Sequence, residues 1–308
     1  MVDEPDGYHL ILAPGNGQLD VPRRNYANTL MRVEPGLDFD PKCDDSACAD
    51  FDPDQPSTAC MESCENLFIP RLMPDQELQL APDGRCDGFD TIFQCWEEMD
   101  YIGGSTPVRI ELDDHNVLVY PTKDGHSYLV DADHMGTMYD RHRMVEMCGH
   151  HGGTCTRIWA GMSVTKPLKT EIDGEKAVLV PTFMSDDTNP GGLVAMKVVE
   201  EDGTPTLERA WEYPDFESDE ATERFRNHPS RVALSADGEH AWIVDIDSAG
   251  GRLTGLRISD GEPVYRVNMA GPGRRYSLPL VQDDRLYVTS CNRNEGPGHL
   301  EGYQLVSE

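Results

Sequence analysis

The chain has 308 residues, and 56 acidic against 26 basic side chains leave it at a formal charge of −30. A surface so acidic has no Lys/Arg patch with which to release counterions from phosphates, which argues against nucleic-acid binding. Hydrophobic residues make up 38%, enough to build a core, yet the apolar runs are as short as Ala177-Val178-Leu179-Val180. No segment approaches the ~20 residues of a membrane-spanning helix.

The N-terminus, Met1-Val2-Asp3-Glu4-Pro5, has neither a basic start nor an apolar stretch and is read as carrying no signal peptide. Tyr8-His9-Leu10-Ile11-Leu12 then reads as the second strand of a blade, Gly15-Asn16-Gly17 as its loop, and Thr29-Leu30-Met31-Arg32-Val33 as the third strand. Residues 1–36 are expected to form a part-blade whose opening strand is missing.

Residues 37–104 read as an acidic insertion. Six of the nine cysteines fall there, Cys43, Cys48, Cys60, Cys64, Cys86 and Cys95. Clustered cysteines in a loop-like segment indicate disulfides formed outside the cytosol, or a metal site inside it. The Cys60-to-Cys64 spacing suits zinc, but no second Cys or His pair follows at finger-like distance, so disulfides are expected, with open connectivity. Asp50, Asp52 and Asp54 alternate as carboxylates do in a calcium loop, and they are the expected metal ligands if this segment holds calcium. Gln55 stands where an EF-type loop needs Gly, and the plainer reading is an acidic, solvated segment.

From 105 to 308 a unit recurs four times. Pro107, Pro167, Pro229 and Pro279 open it, at spacings of 60, 62 and 50 residues. A turn follows (Asp113-Asp114, Asp173-Gly174, Asp237-Gly238, Asp283-Asp284), then a β-rich run beginning at Val117, Ala177, Ala241 or Leu286. A second alternating run starts at Ser127, Leu193, Leu253 or Leu300, and three units continue into a further strand through Met138-Tyr139, Trp211-Glu212-Tyr213 and Val264-Tyr265-Arg266. Four short antiparallel strands per repeat define the blade of a β-propeller. The last unit stops after its third strand.

Six of the ten histidines lie between His115 and His151, and Cys148 to Cys155 encloses His150 and His151. Thiolates with imidazoles would suit copper or zinc. Pairing of Cys148 with Cys155 is the expected alternative, with His126, His134 and His142 placed on unrelated loops, and Cys291 is left as the odd thiol. Trp159, Trp211, Trp242 and Tyr265 fall at strands, where packing between blades is their expected use.

The stretches Ala13-Pro14-Gly15-Asn16-Gly17-Gln18-Leu19-Asp20, Asn25 to Leu30, Gly103 to Val108 and Lys123 to Asp131 resemble the quinoprotein dehydrogenase-like β-propellers with pyrroloquinoline-quinone (PQQ) repeats. The resemblance covers most of residues 8–36 and 103–305. It implies a tryptophan-docking motif, whose nearest match runs Gly255-Leu256-Arg257 through Asp260-Gly261 to Tyr265, with Arg257 in place of the motif's Asp and Tyr265 in place of its Trp. It also implies, for an active dehydrogenase, an adjacent Cys-Cys disulfide and a Glu/Asn/Asp calcium set, whereas no two cysteines are adjacent here.

The expectation is therefore an all-β propeller of about five blades or part-blades with a Cys-rich insertion. It is expected to act as a non-catalytic extracytoplasmic scaffold, periplasmic, cell-surface or secreted, that binds protein or polymer while further polypeptide completes its ring. PQQ is not an expected cofactor. The alternatives are a PQQ- and calcium-dependent oxidoreductase and a metal-binding protein.

Overall fold

The computed structural model describes residues 2–4, 7–15, 17–71, 105–122, 125–144, 167–183, 192–213, 230–245, 251–271, 278–290 and 298–304, with positions 73, 91, 93, 94, 161 and 162. The first sheet begins with β1 (Val2–Glu4) and β2 (Gly7–Leu12). After a small hairpin of β3 (Leu19–Asp20) and β4 (Asn25–Tyr26) it takes β5 (Leu30–Val33), and after helix α1 (Thr58–Glu62) it ends with β6 (Leu67–Phe68), in the order β1-β2-β5-β6. The second sheet is the meander β7 (Val108–Glu111), β8 (Asn116–Pro121), β9 (His126–Asp131) and β10 (Met138–Arg143).

In the third sheet β11 (Gly161–Met162) and β12 (Leu168–Ile172) share one edge of β13 (Glu175–Phe183), followed by β14 (Gly192–Glu201) and β15 (Thr204–Tyr213). The fourth is β16 (Ala233–Leu234), β17 (His240–Asp245), β18 (Arg252–Arg257) and β19 (Pro263–Asn268). The last has, among the described residues, the three strands β20 (Leu280–Gln282), β21 (Arg285–Ser290) and β22 (His299–Gln304). Successive four-stranded antiparallel meanders are propeller blades, and the chain is an all-β protein of β-propeller class.

Two expectations are corrected. The first sheet does not lack its opening strand, because β1 pairs with β2 through Val2–His9, Asp3–Tyr8 and Glu4–Gly7. Nor is the insertion wholly irregular, since it supplies β6, which pairs Leu67 with Met31 and Phe68 with Leu30. The expected Cys148–Cys155 pair, Cys86, Cys95, Cys291, Trp159, His150 and His151 lie outside the described residues.

The turns follow from local chemistry. Asp173 and Gly174 have φ of 54° and 85°, and Asp202 and Gly203 have 51° and 77°, so both hairpins turn on two left-handed residues. Such turns match the right-handed twist of the strands they join, and Asp-Gly is a preferred pair for them.

The chain divides into two compact units, Met1–Cys155 with Val199–Leu207, and Thr156–Val198 with Glu208–Glu308. In the first, Leu30 and Phe68 pack against Leu118, Tyr120, Tyr128 and Val130 of the second sheet. In the second, Ala177, Leu179, Trp211 and Tyr213 pack against Ala241, Ile243, Leu256 and Ile258. Central strands buried on both faces carry unbroken apolar runs: Val117 to Tyr120, Ala177 to Val180 and Ala241 to Val244 are all buried.

Candidate functional site

The Cys-rich insertion closes over one face of the first sheet. Strand alternation sends Leu30 and Phe68 toward the second sheet, and Met31 and Leu67 to the opposite side. There Leu67 and Ile69 meet Met61, Cys64, Phe39 and Phe51 of the insertion. Cys43 is bonded to Cys64 and Cys48 to Cys60. Ser57 caps α1 by accepting the Cys60 N–H at 3.2 Å, and Cys64 follows directly after the helix's C-cap at Ser63.

The loop between β9 and β10 is tied into this cap. Met135 N donates to Glu65 O at 2.9 Å and Gly136 N to Cys64 O at 2.7 Å. A Cβ on Gly136 would lie 2.5 Å from Glu62 O and 2.7 Å from Cys64 O, so only glycine admits the two backbones this close. His134 Nε2 bonds Glu62 O at 2.9 Å. Arg71 Nη2 donates to Gly136 O at 2.7 Å, with its guanidinium 6.0 Å from the Phe68 ring centre. Burial lowers the Arg71 pKa, and the Glu62 carboxylate 3.8 Å away opposes that shift.

Among the described residues, two groups of three ligating side chains have their donor atoms within 4.8 Å of one another. Cys43, Cys48 and Cys64 form one, and each sulfur there is already in a disulfide. Asp237, Glu239 and His240 form the other, in the turn before β17. There the Ser235 hydroxyl donates to Asp237 and, with the Glu239 N–H at 2.9 Å, holds its pKa below the usual carboxylate range. Asp50, Asp52 and Asp54 belong to neither group. Asp52 Oδ1 accepts the Asp54 N–H at 3.0 Å, a local turn bond that a bound calcium ion would have to share or displace.

The histidines are not all on separate loops. His126 and His142 stand in paired strands, opposite Arg143 and Ser127 respectively, while His134 sits on the connection at the other end of the hairpin. Neighbouring positions on one strand point to opposite faces, so His126 and His142 do not converge. His126 Nδ1 lies 3.1 Å from Arg141 Nη2. A guanidinium only donates, so Nδ1 is the acceptor in this bond.

Trp211 packs between blades as expected of it, and it makes the tie that the docking-motif match had placed at Tyr265. Its Nε1 donates to Ile258 O at 2.7 Å, and its ring lies over Gly261 (φ 73°), where an added Cβ would come within 2.5 Å of Cε3. Tyr265, the expected counterpart of the docking Trp, instead packs edge-on against Trp242 at 5.7 Å. The hairpin β14–β15 has ten-residue strands against six in β18–β19, which carries Trp211 four residues further from its Asp-Gly turn than Tyr265 is from its own. The signal in the sequence is an aromatic residue on the strand returning from an Asp-Gly turn, counted together with the register shift that the β18–β19 ladder carries between Gly255 and Leu256.

The last sheet has a buried face and an uncovered one. Leu286 and Val288 are buried, whereas Leu278, Leu280 and Leu300 are exposed. Registers Leu280–Tyr287–Gly302 and Thr289–Leu300 place Leu280, Tyr287, Thr289 and Leu300 on the same, uncovered side.

No family model and no curated protein matches the chain. Solved β-propeller structures are similar to it. The Dos1 propeller is 9% identical over 59% of this chain and 42% of its own, at TM-score 0.37. BamB from Moraxella catarrhalis is 13% identical over 85% and 64%, at TM-score 0.31. The quinohemoprotein alcohol dehydrogenase from Comamonas testosteroni is 12% identical over 68% and 40%, at TM-score 0.34. The chain spans less than two thirds of the length of each.

Proposed function

We propose that this chain is a non-catalytic, extracytoplasmic β-propeller scaffold that engages another polypeptide through sheet surface its own fold leaves uncovered. The observation that carries the reading is the outer face of the last sheet, where Leu280 and Leu300 are 55% and 71% exposed while Leu286 on the opposite side is 0% exposed. Apolar sheet faces of this kind are stable when another layer covers them, and contiguous exposed apolar surface marks interaction sites.

The two disulfides support an oxidising compartment, since cytosolic thiol systems keep such pairs reduced. No helix of the described residues is long and apolar enough to cross a membrane. Against an oxidoreductase, Arg257 and Tyr265 stand at the positions of the docking motif's Asp and Trp, and no two cysteines are adjacent.

The test has two arms. The purified protein is incubated with PQQ and calcium, and dye-linked alcohol oxidation is followed. No cofactor-dependent turnover is expected, and turnover that saturates with PQQ overturns the non-catalytic reading. Alkylation before and after reduction should find Cys43, Cys48, Cys60 and Cys64 protected in material from its native compartment. Full labelling without reductant overturns the assignment to an oxidising compartment.

A further inference from the structure

The uncovered face of the last sheet repeats the face with which the fourth sheet receives it. In the fourth sheet Trp242 lies over Gly255 of the neighbouring strand, and a Cβ there would fall 2.6 Å from the indole ring. In the last sheet Tyr287 lies over Gly302 in the same relation, at 3.4 Å. Ala233 pairs with Trp242 as Leu280 pairs with Tyr287, and Val244 pairs with Leu253 as Thr289 pairs with Leu300.

The environments of these matched positions differ sharply. Trp242, Val244 and Leu253 are closed off by Val281, Leu286, Val288 and Tyr303 of the last sheet, so that Val244 and Leu253 are 0% exposed. Leu253's counterpart Leu300 is 71% exposed, and Ala233's counterpart Leu280 is 55% exposed. The pattern that receives a sheet is present twice, and among the described residues one of the two leaves its leucines exposed.

We propose that this second face is a self-association surface, filled by the same face of a second copy of the chain. The proposal rests on the scaffold reading and names its partner. Two observations favour a second copy. First, the set that already covers the fourth sheet is aliphatic side chains with one tyrosine, Val281, Leu286, Val288 and Tyr303, and the outer face offers the same kind of set in Leu280, Leu300 and Tyr287. Second, in a chain with 56 acidic residues, the polar strand positions of this face are Gln282, Arg285, Thr289 and Gln304, with no carboxylate among them, and the Asp284 carboxylate at the adjoining turn is held by the Gln304 amide at 3.2 Å and lies beside Arg285. A partner drawn by the chain's negative charge would meet acids along the strands, whereas a like-charged copy needs strand positions free of them. Pairing a face with itself about a two-fold axis is also the commonest way for chains to form a closed oligomer.

The charge supplies the test. Two copies of formal charge −30 repel at long range, and raising salt from about 0.1 M to about 1 M shortens the screening length from about 10 Å to about 3 Å. Apolar contact survives that change. Sedimentation equilibrium of the full chain should show mass rising with concentration from 34.3 kDa toward twice that value, with an association constant at least roughly tenfold higher at the upper salt. The double substitution Leu280→Lys with Leu300→Lys makes each copy less negative yet should abolish association. Leu280→Thr with Leu300→Thr should do the same without added charge. Both positions are exposed, so circular dichroism should be unchanged. A monomer at both salts, a dimer indifferent to these substitutions, or one that dissociates as salt rises each overturns the proposal. The dye-linked oxidation assay judges the scaffold reading separately, so the two can fail independently.

Discussion

Replacing Gly261 by alanine tests the Trp211 tie against backbone strain alone. Gly261 sits at φ 73°, where an L-residue costs about 1–2 kcal/mol, offset by about 0.4–1 kcal/mol from the reduced freedom of the unfolded chain. Gly174, at φ 85° with nothing within 4 Å of an added Cβ, carries that contribution by itself. At Gly261 the new methyl would also stand 2.5 Å from Cε3 and 2.7 Å from Cδ2 of Trp211. Carbon contacts need about 3.5 Å, so the indole must retreat by roughly 1 Å. That movement stretches the 2.7 Å bond from Nε1 to Ile258 O and disturbs a ring packed beside Leu256 and Ile258. Overpacking of about 1–3 kcal/mol and a buried hydrogen bond of about 1 kcal/mol put Gly261→Ala about 2–4 kcal/mol below Gly174→Ala. Urea denaturation followed by tryptophan fluorescence reads the difference. Equal midpoints for the two variants at equal slopes would refute the claim that Trp211 docking holds these blades together.

Three further outcomes are expected. Removing the Cys43–Cys64 bond by double serine substitution should lower stability by about 3 kcal/mol, from the loop its 21-residue separation closes, and raise dye binding as the face around Met31 and Leu67 is uncovered; calorimetry with and without reductant checks it. Gly136→Ala should cost at least about 3 kcal/mol and loosen the same cap, because the atoms it strikes are backbone oxygens; hydrogen exchange at the Met135 and Gly136 amides reports that. Burial raises the Glu301 pKa, but hydrogen bonds from Tyr303, Ser290 and the Ala270 N–H outweigh it and hold the group below its ordinary value of 4.5. A depressed pKa contributes stability above the unfolded value that is lost as pH falls through the folded one, so Glu301→Gln should flatten the decline in stability below about pH 4.5, read as melting temperature against pH.

The repeat was legible because its strand runs and turns recur in the same order in each unit, and every opening proline from Pro107 to Pro279 precedes a strand. Other elements were not, for physical reasons. Strand β6 presents only Leu67, Phe68 and Ile69 between Asn66 and Pro70, too short a run to distinguish from a loop; its place comes from Met31 and Leu30 across the ladder. The disulfide pairing was equally hidden. Spacing alone does not say which of six cysteines meet, and the choice of Cys43 with Cys64 depends on a turn capped by Asp44 and a helix capped by Ser57.

Legibility of the surface turns on alternation. Ala241-Trp242-Ile243-Val244 is apolar at every position, as a strand with sheets on both sides must be, whereas Leu286-Tyr287-Val288-Thr289-Ser290 alternates as far as its Thr and Ser permit. Alternation by itself indicates a solvated outer face, and on that ground β21 would be an ordinary terminal strand. The strands on either side of β21 contradict it. Leu280 and Leu300 flank Tyr287 and Thr289 where a solvated face would carry polar residues, and they do so in a chain that is 27% charged. Neither leucine is conspicuous along the sequence, because they are twenty residues apart and each follows a loop-like segment. Only the register, which sets both beside β21, turns two separate leucines into one apolar face. That explains why an interaction surface was expected without its position being readable before the sheet was seen.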